Sequence, residues 1–215
     1  MMHRIVPTLP LRHLAVALCV LLPGLSLTSC GSTPKSSFYV LTATENPASG
    51  EPSMRVALEL VTVLPSVDRP QMLLTVGANQ RSLREFDRWA SPLPENMTRV
   101  LEMNLESQLG LTSVYVLPSR YVPPVDAIVT VEILQLDAFP NGTCAMIAQF
   151  DVADGKGNWI TSGQLTVNPS DATSTAQGPS AVAQNISSSL GRLSKLIAQT
   201  LQDNVKVKSK PPAGN

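Results

Sequence analysis

Apolar and polar residues alternate over several stretches of the chain, and this period of two is typical of strands with one buried face. The stretch from Met54 to Leu64 predicts a single half-buried strand, with Arg55 and Glu59 on its exposed side. Shorter stretches of the same kind predict further strands at residues 38–41, 71–76, 81–89 and 113–117.

Residues 126–167 predict three consecutive antiparallel strands, because turn-forming residues interrupt the pattern at residues 140–142 and 154–157. In the first of these strands the alternation shifts near Ile133 and Leu134, where we expect a β-bulge or burial of both faces. The middle strand has apolar residues at every second position, namely Cys144, Met146, Ala148, Phe150 and Val152.

Two other stretches have apolar residues at spacings of three and four, which is typical of amphipathic helices. The first spans residues 92–109, with Gly110 as a C-terminal stop, and the second is introduced by Pro179 and runs to Leu201. Their apolar stripes consist of Met97, Val100, Leu101, Leu105 and Leu109 in the first helix and Val182, Ile186, Leu190, Leu193, Ile197 and Leu201 in the second.

Strands grouped before and between two helices predict an α+β fold of two layers, in which a largely antiparallel or mixed β-sheet is covered by two amphipathic helices. The spacing in the second helix also fits a coiled-coil seam that binds a partner. We favour packing on the core, because the stripe is shorter than three heptads and the sheet needs a cover.

The first thirty residues have a pattern of their own. Arg4 and Arg12 precede an apolar run at residues 14–22, which is too short to span a bilayer but has the length of the apolar region of a signal peptide. The alternative is a buried helix or a single-pass anchor over residues 14–27, which Pro23 disfavours because it would break such a helix. We therefore expect an exported protein.

The apolar region is followed by Leu27-Thr28-Ser29-Cys30, which resembles the lipobox of bacterial lipoprotein precursors. The resemblance implies cleavage before Cys30, a diacylglycerol group on its thiol and a further acyl chain such as palmitate. Two or three acyl chains anchor a protein durably, since one chain alone is marginal. Gly31 stands where enterobacterial lipoproteins kept in the inner membrane typically carry Asp, so the resemblance favours the outer membrane.

These patterns divide the chain into four parts. Residues 1–29 are a signal peptide, and residues 30–53 hold the lipidated N-terminus, a tether and a candidate first short strand. Residues 54–203 form a single α+β domain, and residues 204–215 form a disordered basic tail.

The composition excludes several kinds of catalytic and metal site from the mature chain. Both histidines, His3 and His13, lie in the predicted signal peptide, so no imidazole remains for a catalytic triad or an ordinary zinc site. Cys144 has no cysteine partner and is expected in the core, since Cys19 is removed and Cys30 is acylated. We expect no enzyme activity, no metal and no cofactor.

The mature chain keeps all sixteen acidic residues and loses two of sixteen basic ones, which leaves a net charge of about −2. Its basic cluster at Lys206, Lys208 and Lys210 lies in a tail that contains Pro and Gly. A nucleic-acid surface would need clustered basic residues interleaved with aromatic ones. We therefore expect no nucleic-acid partner.

Two further groups of residues have simple structural explanations. Asp154-Gly155-Lys156-Gly157 lacks the Lys-Ser or Lys-Thr pair and the following helix of a phosphate-binding loop, so a hairpin turn is predicted. Glu85 and Asp87 would share one face of a strand, but the arginines at 81, 84 and 88 predict ion pairing rather than acid–base catalysis.

Two segments are dense in Pro, Arg, Trp and acidic residues: residues 64–71, with the sequence LPSVDRPQ, and residues 84–93, with the sequence REFDRWASPL. The second leads into the first predicted helix. Together with the lipobox and the strand at residues 38–41, their order and spacing resemble those of the ABC-type transport auxiliary lipoproteins, also called the PqiC or YmbA family. The resemblance extends over nearly the whole mature chain.

The resemblance implies an auxiliary subunit of an Mce-type intermembrane lipid transport system, which docks an MCE-domain periplasmic protein at the outer membrane. It makes Asp68, Arg69, Gln71 and Trp89 the candidate partner-binding residues. Each has a structural explanation as well, since Arg69 can pair with Asp68 or Asp87 and Trp89 can pack under the first helix. Two alternatives stay open: a periplasmic carrier that binds phospholipid, and an envelope lipoprotein of another assembly complex.

Overall fold

The computed structural model describes residues 34–44, 54–109 and 114–205. The predicted signal peptide, Cys30, Gly110 and the basic tail from Lys206 onward lie outside the described residues. From Ser36 onward the described residues form one compact unit. This unit begins earlier than the boundary predicted at residue 54, because the first short strand belongs to the same sheet as the other strands.

The described residues contain nine strands and two α-helices, so the predicted mixed α+β class is confirmed. A 3-10 turn at Pro169–Asp171 precedes the second helix. In chain order the elements are β1 (Ser37–Tyr39), β2 (Val56–Leu58), β3 (Thr62–Val63), β4 (Gln71–Gly77), β5 (Gln80–Trp89), α1 (Leu93–Leu109), β6 (Val114–Val116), β7 (Ala127–Ala138), β8 (Cys144–Asp154), β9 (Trp159–Val167) and α2 (Pro179–Asn204).

The long strand β7 lies at the centre of the sheet. Along one edge it pairs antiparallel with β8, and along the other it pairs in parallel with β2, β3 and β4, one after another. The sheet then continues from β8 to β9, from β2 to β6, and from β4 through β5 to β1. As a result, β1 and β9 form opposite edges of the sheet, and the predicted antiparallel meander is β7–β8–β9.

The two helices pack against each other and cover the sheet, α1 beside β3 and β6 and α2 over β8 and β9. Every residue of the two predicted apolar stripes is buried. Each large aliphatic side chain buried in this way contributes about 1.5–3 kcal/mol to stability. The stripe of α2 is therefore part of the core and is not a free coiled-coil seam.

The single strand predicted over residues 54–64 is wrong, because the structure has the two short strands β2 and β3 with a break between them. Alternation opposite Arg55 and Glu59 would bury Leu60, but Leu60 is 43% exposed, whereas Val61 is buried. The N–H of Val61 donates to Oγ1 of Thr98 on α1 at 2.9 Å instead of pairing within the sheet. This contact with a distant residue changes which side chains face the core.

The β-bulge predicted near Ile133 and Leu134 is confirmed, since the register of β7 against β8 shifts between Ile133 and Gln135. Leu134 is exposed as a consequence, and Leu136 returns to the core. The turn predicted at residues 140–142 is also present, with Gly142 at a φ of 91°.

Candidate functional site

Residues 64–70 form a compact turn that leads into β4, and we refer to it as the 64–70 loop. The N–H groups of Val67 and Asp68 donate to the carbonyl oxygen of Leu64 at 3.0 and 3.2 Å, and the N–H of Arg69 donates to that of Val67 at 2.9 Å. Asp68 and Arg69 are exposed. Within the described residues neither of them takes part in an ion pair.

The structure brings the 64–70 loop together with the end of β5, so the two segments that carry the family resemblance are neighbours. The N–H of Trp89 donates to the carbonyl oxygen of Pro70 at 2.8 Å. Gln71 lies opposite Arg88 in the register of β4 and β5 and is half-buried. Three of the four candidate partner-binding residues are thus fully or partly accessible at one place.

The fourth candidate, Trp89, does not contribute its side chain to this surface, because it is only 6% exposed. It packs beneath the 64–70 loop and the start of α1, which is the structural alternative given by the sequence. Together with Val67, Met72 and Leu93 it lines an apolar cavity of about 20 Å³. Trp89 therefore supports the loop from below.

The end of β5 carries the ion pairs that the sequence predicts. Arg84 pairs with Asp87 at 2.9 Å and Arg88 with Glu85 at 3.4 Å. Asp87 also accepts a hydrogen bond from the hydroxyl of Tyr39 on β1 at 3.1 Å, and burial, followed by this carboxylate, raises the pKa of Tyr39. Asp87 is thus engaged by Arg84 and Tyr39 rather than by Arg69.

A second surface feature was not predicted from the sequence. It is an open cleft of about 500 Å³ between the chain that follows β1 and the loop before α2. Its walls carry hydroxyl and amide groups and no charged side chain. The lining residues are Thr42, Thr44, Thr173, Ser174, Thr175, Ala176, Gln184, Ser187 and Ser188.

Cys144 is a buried core residue, as the sequence predicts. Its Sγ lies 3.7 Å from Oγ of Ser189, and burial raises the pKa of the thiol, which disfavours the reactive thiolate. In the described parts of the chain, no three His, Cys, Asp or Glu side chains are placed to hold a metal ion. None of the helices in those parts is long and apolar enough to cross a membrane.

Comparison with known families identifies the class of protein. The family described as the ABC-type transport auxiliary lipoprotein component matches residues 39–198, well over half of the chain. The chain therefore belongs to this family, which confirms the resemblance seen in the sequence. The family is an auxiliary transport component and not a known family of enzymes. Curated protein sequences gave no significant match.

Two solved structures share this fold at low sequence identity. One, described as an uncharacterized protein, is 17% identical with a TM-score of 0.60 and covers 78% of this chain and 99% of its own. Another, from Xanthomonas campestris, is 16% identical with a TM-score of 0.58 and covers 77% of this chain and 95% of its own. At these identities the likeness shows the fold alone.

Proposed function

We propose that this chain is a lipid-anchored auxiliary subunit of an ABC-type intermembrane lipid transport system. Acyl chains on Cys30 hold it to the outer membrane, and the domain in the periplasm docks an MCE-domain protein of the transporter. Membership of the auxiliary lipoprotein family supports this proposal. It is further supported by the lipobox residues, which lie outside the described part of the chain.

The conformation of the 64–70 loop is the main structural support for the docking role. Asp68 and Arg69 present opposite charges from a turn that three backbone hydrogen bonds hold and that the buried Trp89 supports. Because the turn is preorganised, it loses little conformational freedom of its own when a partner binds it. Exposed charges of both signs can orient a partner on such a surface and discriminate against partners with the wrong charge pattern.

The phospholipid-carrier alternative finds less support. A pocket that accepts a lipid or a ligand of similar size has a volume of about 300 Å³ or more. The apolar cavity beside Trp89, at about 20 Å³, is far too small for an acyl chain. The larger cleft is lined by hydroxyl and amide groups, which do not favour an acyl chain.

Charge reversal at the loop tests the docking role. Arg69→Glu is expected to reduce recovery of the MCE-domain protein about tenfold after crosslinking in the native envelope, as for loss of one central interface contact. Arg120→Glu is the matched control, because Arg120 is also exposed and follows β6, on the side of β2 away from β7, whereas the 64–70 loop joins β3 to β4. Equal recovery with both variants, or no MCE-domain protein with the unchanged chain, would contradict the proposal.

The anchor is tested separately. Cys30→Ala removes the acylated thiol, so the protein is expected to leave the outer-membrane fraction after separation of the two membranes by density. Intact mass of the unchanged protein should show the added acyl chains. Retention of the alanine variant in outer membranes would mean that something other than lipid holds the protein there.

A further inference from the structure

We propose that the β1 edge of the sheet rests on the membrane surface, with Phe38 and Val40 inserted at the level of the lipid headgroups. This inference rests on the proposed acylation of Cys30. It adds a second contact with the membrane, made by the folded domain itself.

The β1 edge exposes two large apolar side chains. Phe38 is 65% exposed and Val40 is 52% exposed. Between them, Tyr39 turns to the opposite side, where it packs against the core and bonds Asp87. Phe38 lies within β1 and Val40 is the first residue after it, so two exposed apolar residues stand within three positions of each other at this edge.

Phe86 on β5 is a third exposed apolar residue near this edge. Phe38 lies opposite Arg88 in the parallel register of β1 and β5, and Phe86 precedes Arg88 by two residues. Phe86 is also exposed and lies close to Phe38 in the sheet, within the three residues by which β5 bulges between Arg84 and Arg88. We call Phe38, Val40 and Phe86 the apolar edge.

The length of chain before the apolar edge limits its distance from the membrane. Phe38 is the eighth residue after Cys30, so a fully extended chain between them reaches at most about 28 Å. A domain of this size has a radius of gyration of about 16 Å, so its width is on the order of 40 Å. Acylation of Cys30 would therefore keep the β1 edge within about 28 Å of the membrane surface, a distance shorter than the width of the domain.

The contact is apolar rather than ionic in origin. Arg84 and Arg88, the cations of β5 beside the apolar edge, are already paired with Asp87 and Glu85, and Lys35 is the one cation among the described residues that precede β1. These pairs leave little net charge to attract anionic headgroups. A Phe side chain transferred from water to an apolar medium is stabilised without any charge.

Tryptophan fluorescence can test this contact, because the chain supplies its own control. Trp159 on β9 is 69% exposed at the opposite edge of the sheet, and Trp89 is buried. The acylated full-length mature protein is reconstituted in vesicles of phosphatidylethanolamine and phosphatidylglycerol that contain brominated phospholipid. We compare the unchanged protein with Phe38→Trp in a Trp159→Phe background, and Trp159→Phe alone gives the baseline.

We expect the emission added by tryptophan at position 38 to be lost in brominated vesicles, whereas emission from Trp159 changes little. The loss should be the same when phosphatidylcholine replaces phosphatidylglycerol. Equal quenching at positions 38 and 159, or a change in emission at position 38 only when an MCE-domain protein is added, would overturn the proposal. Intact mass shows separately whether Cys30 is acylated, so failure of the anchor is distinguished from failure of the edge contact.

Discussion

Asn185 on α2 holds two separate parts of the chain with one amide group. Its Oδ1 accepts hydrogen bonds from the N–H groups of Thr173 and Ser174 at 2.9 and 3.1 Å. Its Nδ2 donates to the carbonyl oxygen of Gly142, in the turn between β7 and β8, at 2.9 Å. The side chain is buried, so water cannot replace these partners.

Asn185→Ala is therefore expected to lower the free energy of unfolding by about 2–3 kcal/mol, because it leaves the buried carbonyl oxygen of Gly142 and two partly buried N–H groups without this partner. Urea unfolding followed by circular dichroism measures this loss. Asn204→Ala is the control, since Asn204 is exposed and bonds only the carbonyl oxygen of Thr200 near the end of α2. Similar losses in the two variants would show that the buried network does not stabilise the fold.

The local sequence does not predict this role for Asn185, because its partners lie 12 and 43 residues away. The same limit applies to the candidate site. Asp68 and Arg69 are identified from the family resemblance, but only the structure shows that Trp89 is buried beneath them. The hydroxyl-lined cleft was not predicted for the same reason, as it forms from segments distant in the chain.

At the scale of elements, helix α1 has two acidic residues, Glu102 and Glu106, in surroundings that disfavour their charged form. Burial raises the pKa of Glu102, and burial together with the charge of Glu102 raises the pKa of Glu106. The two residues lie four apart, where like charges on a helix repel. A carboxyl group with a raised pKa in the folded state destabilises the fold as pH rises through the interval between its unfolded and folded pKa values.

Glu106→Gln should therefore raise stability at pH 7 by about 0.2–0.5 kcal/mol, the size of a helical like-charge pair. The gain should vanish near about pH 3, where carboxyl groups are largely protonated in both states. Thermal unfolding at pH 7 and at acid pH measures the difference. Glu95→Gln is a control of opposite sign, because Glu95 lies in the first turn of α1 and its charge interacts favourably with the helix dipole. A gain from Glu106→Gln that persists in acid would have another cause.

Elements that local periodicity defines were predicted well from the sequence. The stripes of α1 and α2, the β7–β8–β9 meander and the bulge after Ile133 all follow from which side chains must be buried. The break between β2 and β3 was missed because it depends on Thr98, a residue of α1. Parallel pairs such as β1 with β5 were equally inaccessible, since their partners are joined by long connections.

At the scale of the whole molecule, the segment after β1 joins the N-terminal part of the fold to both helices. Leu41 is buried in the core. The N–H of Thr42 donates to Oγ of Ser187 on α2 at 3.1 Å, and that of Thr44 donates to Oδ1 of Asn104 on α1 at 3.0 Å. A domain beginning at residue 54 would lack these contacts and strand β1.

We expect a chain that starts at Ser36 to unfold in a single urea transition, with circular dichroism and Trp89 fluorescence giving the same midpoint. A chain that starts at Met54 should be less stable by about 3–5 kcal/mol, because it loses a buried leucine and two hydrogen bonds to the helices. Trp89 reports directly on the change, since it lies opposite Tyr39 in the sheet. Equal midpoints for the two chains would show that residues 36–44 do not stabilise the domain. These residues would then belong to the tether and not to the domain.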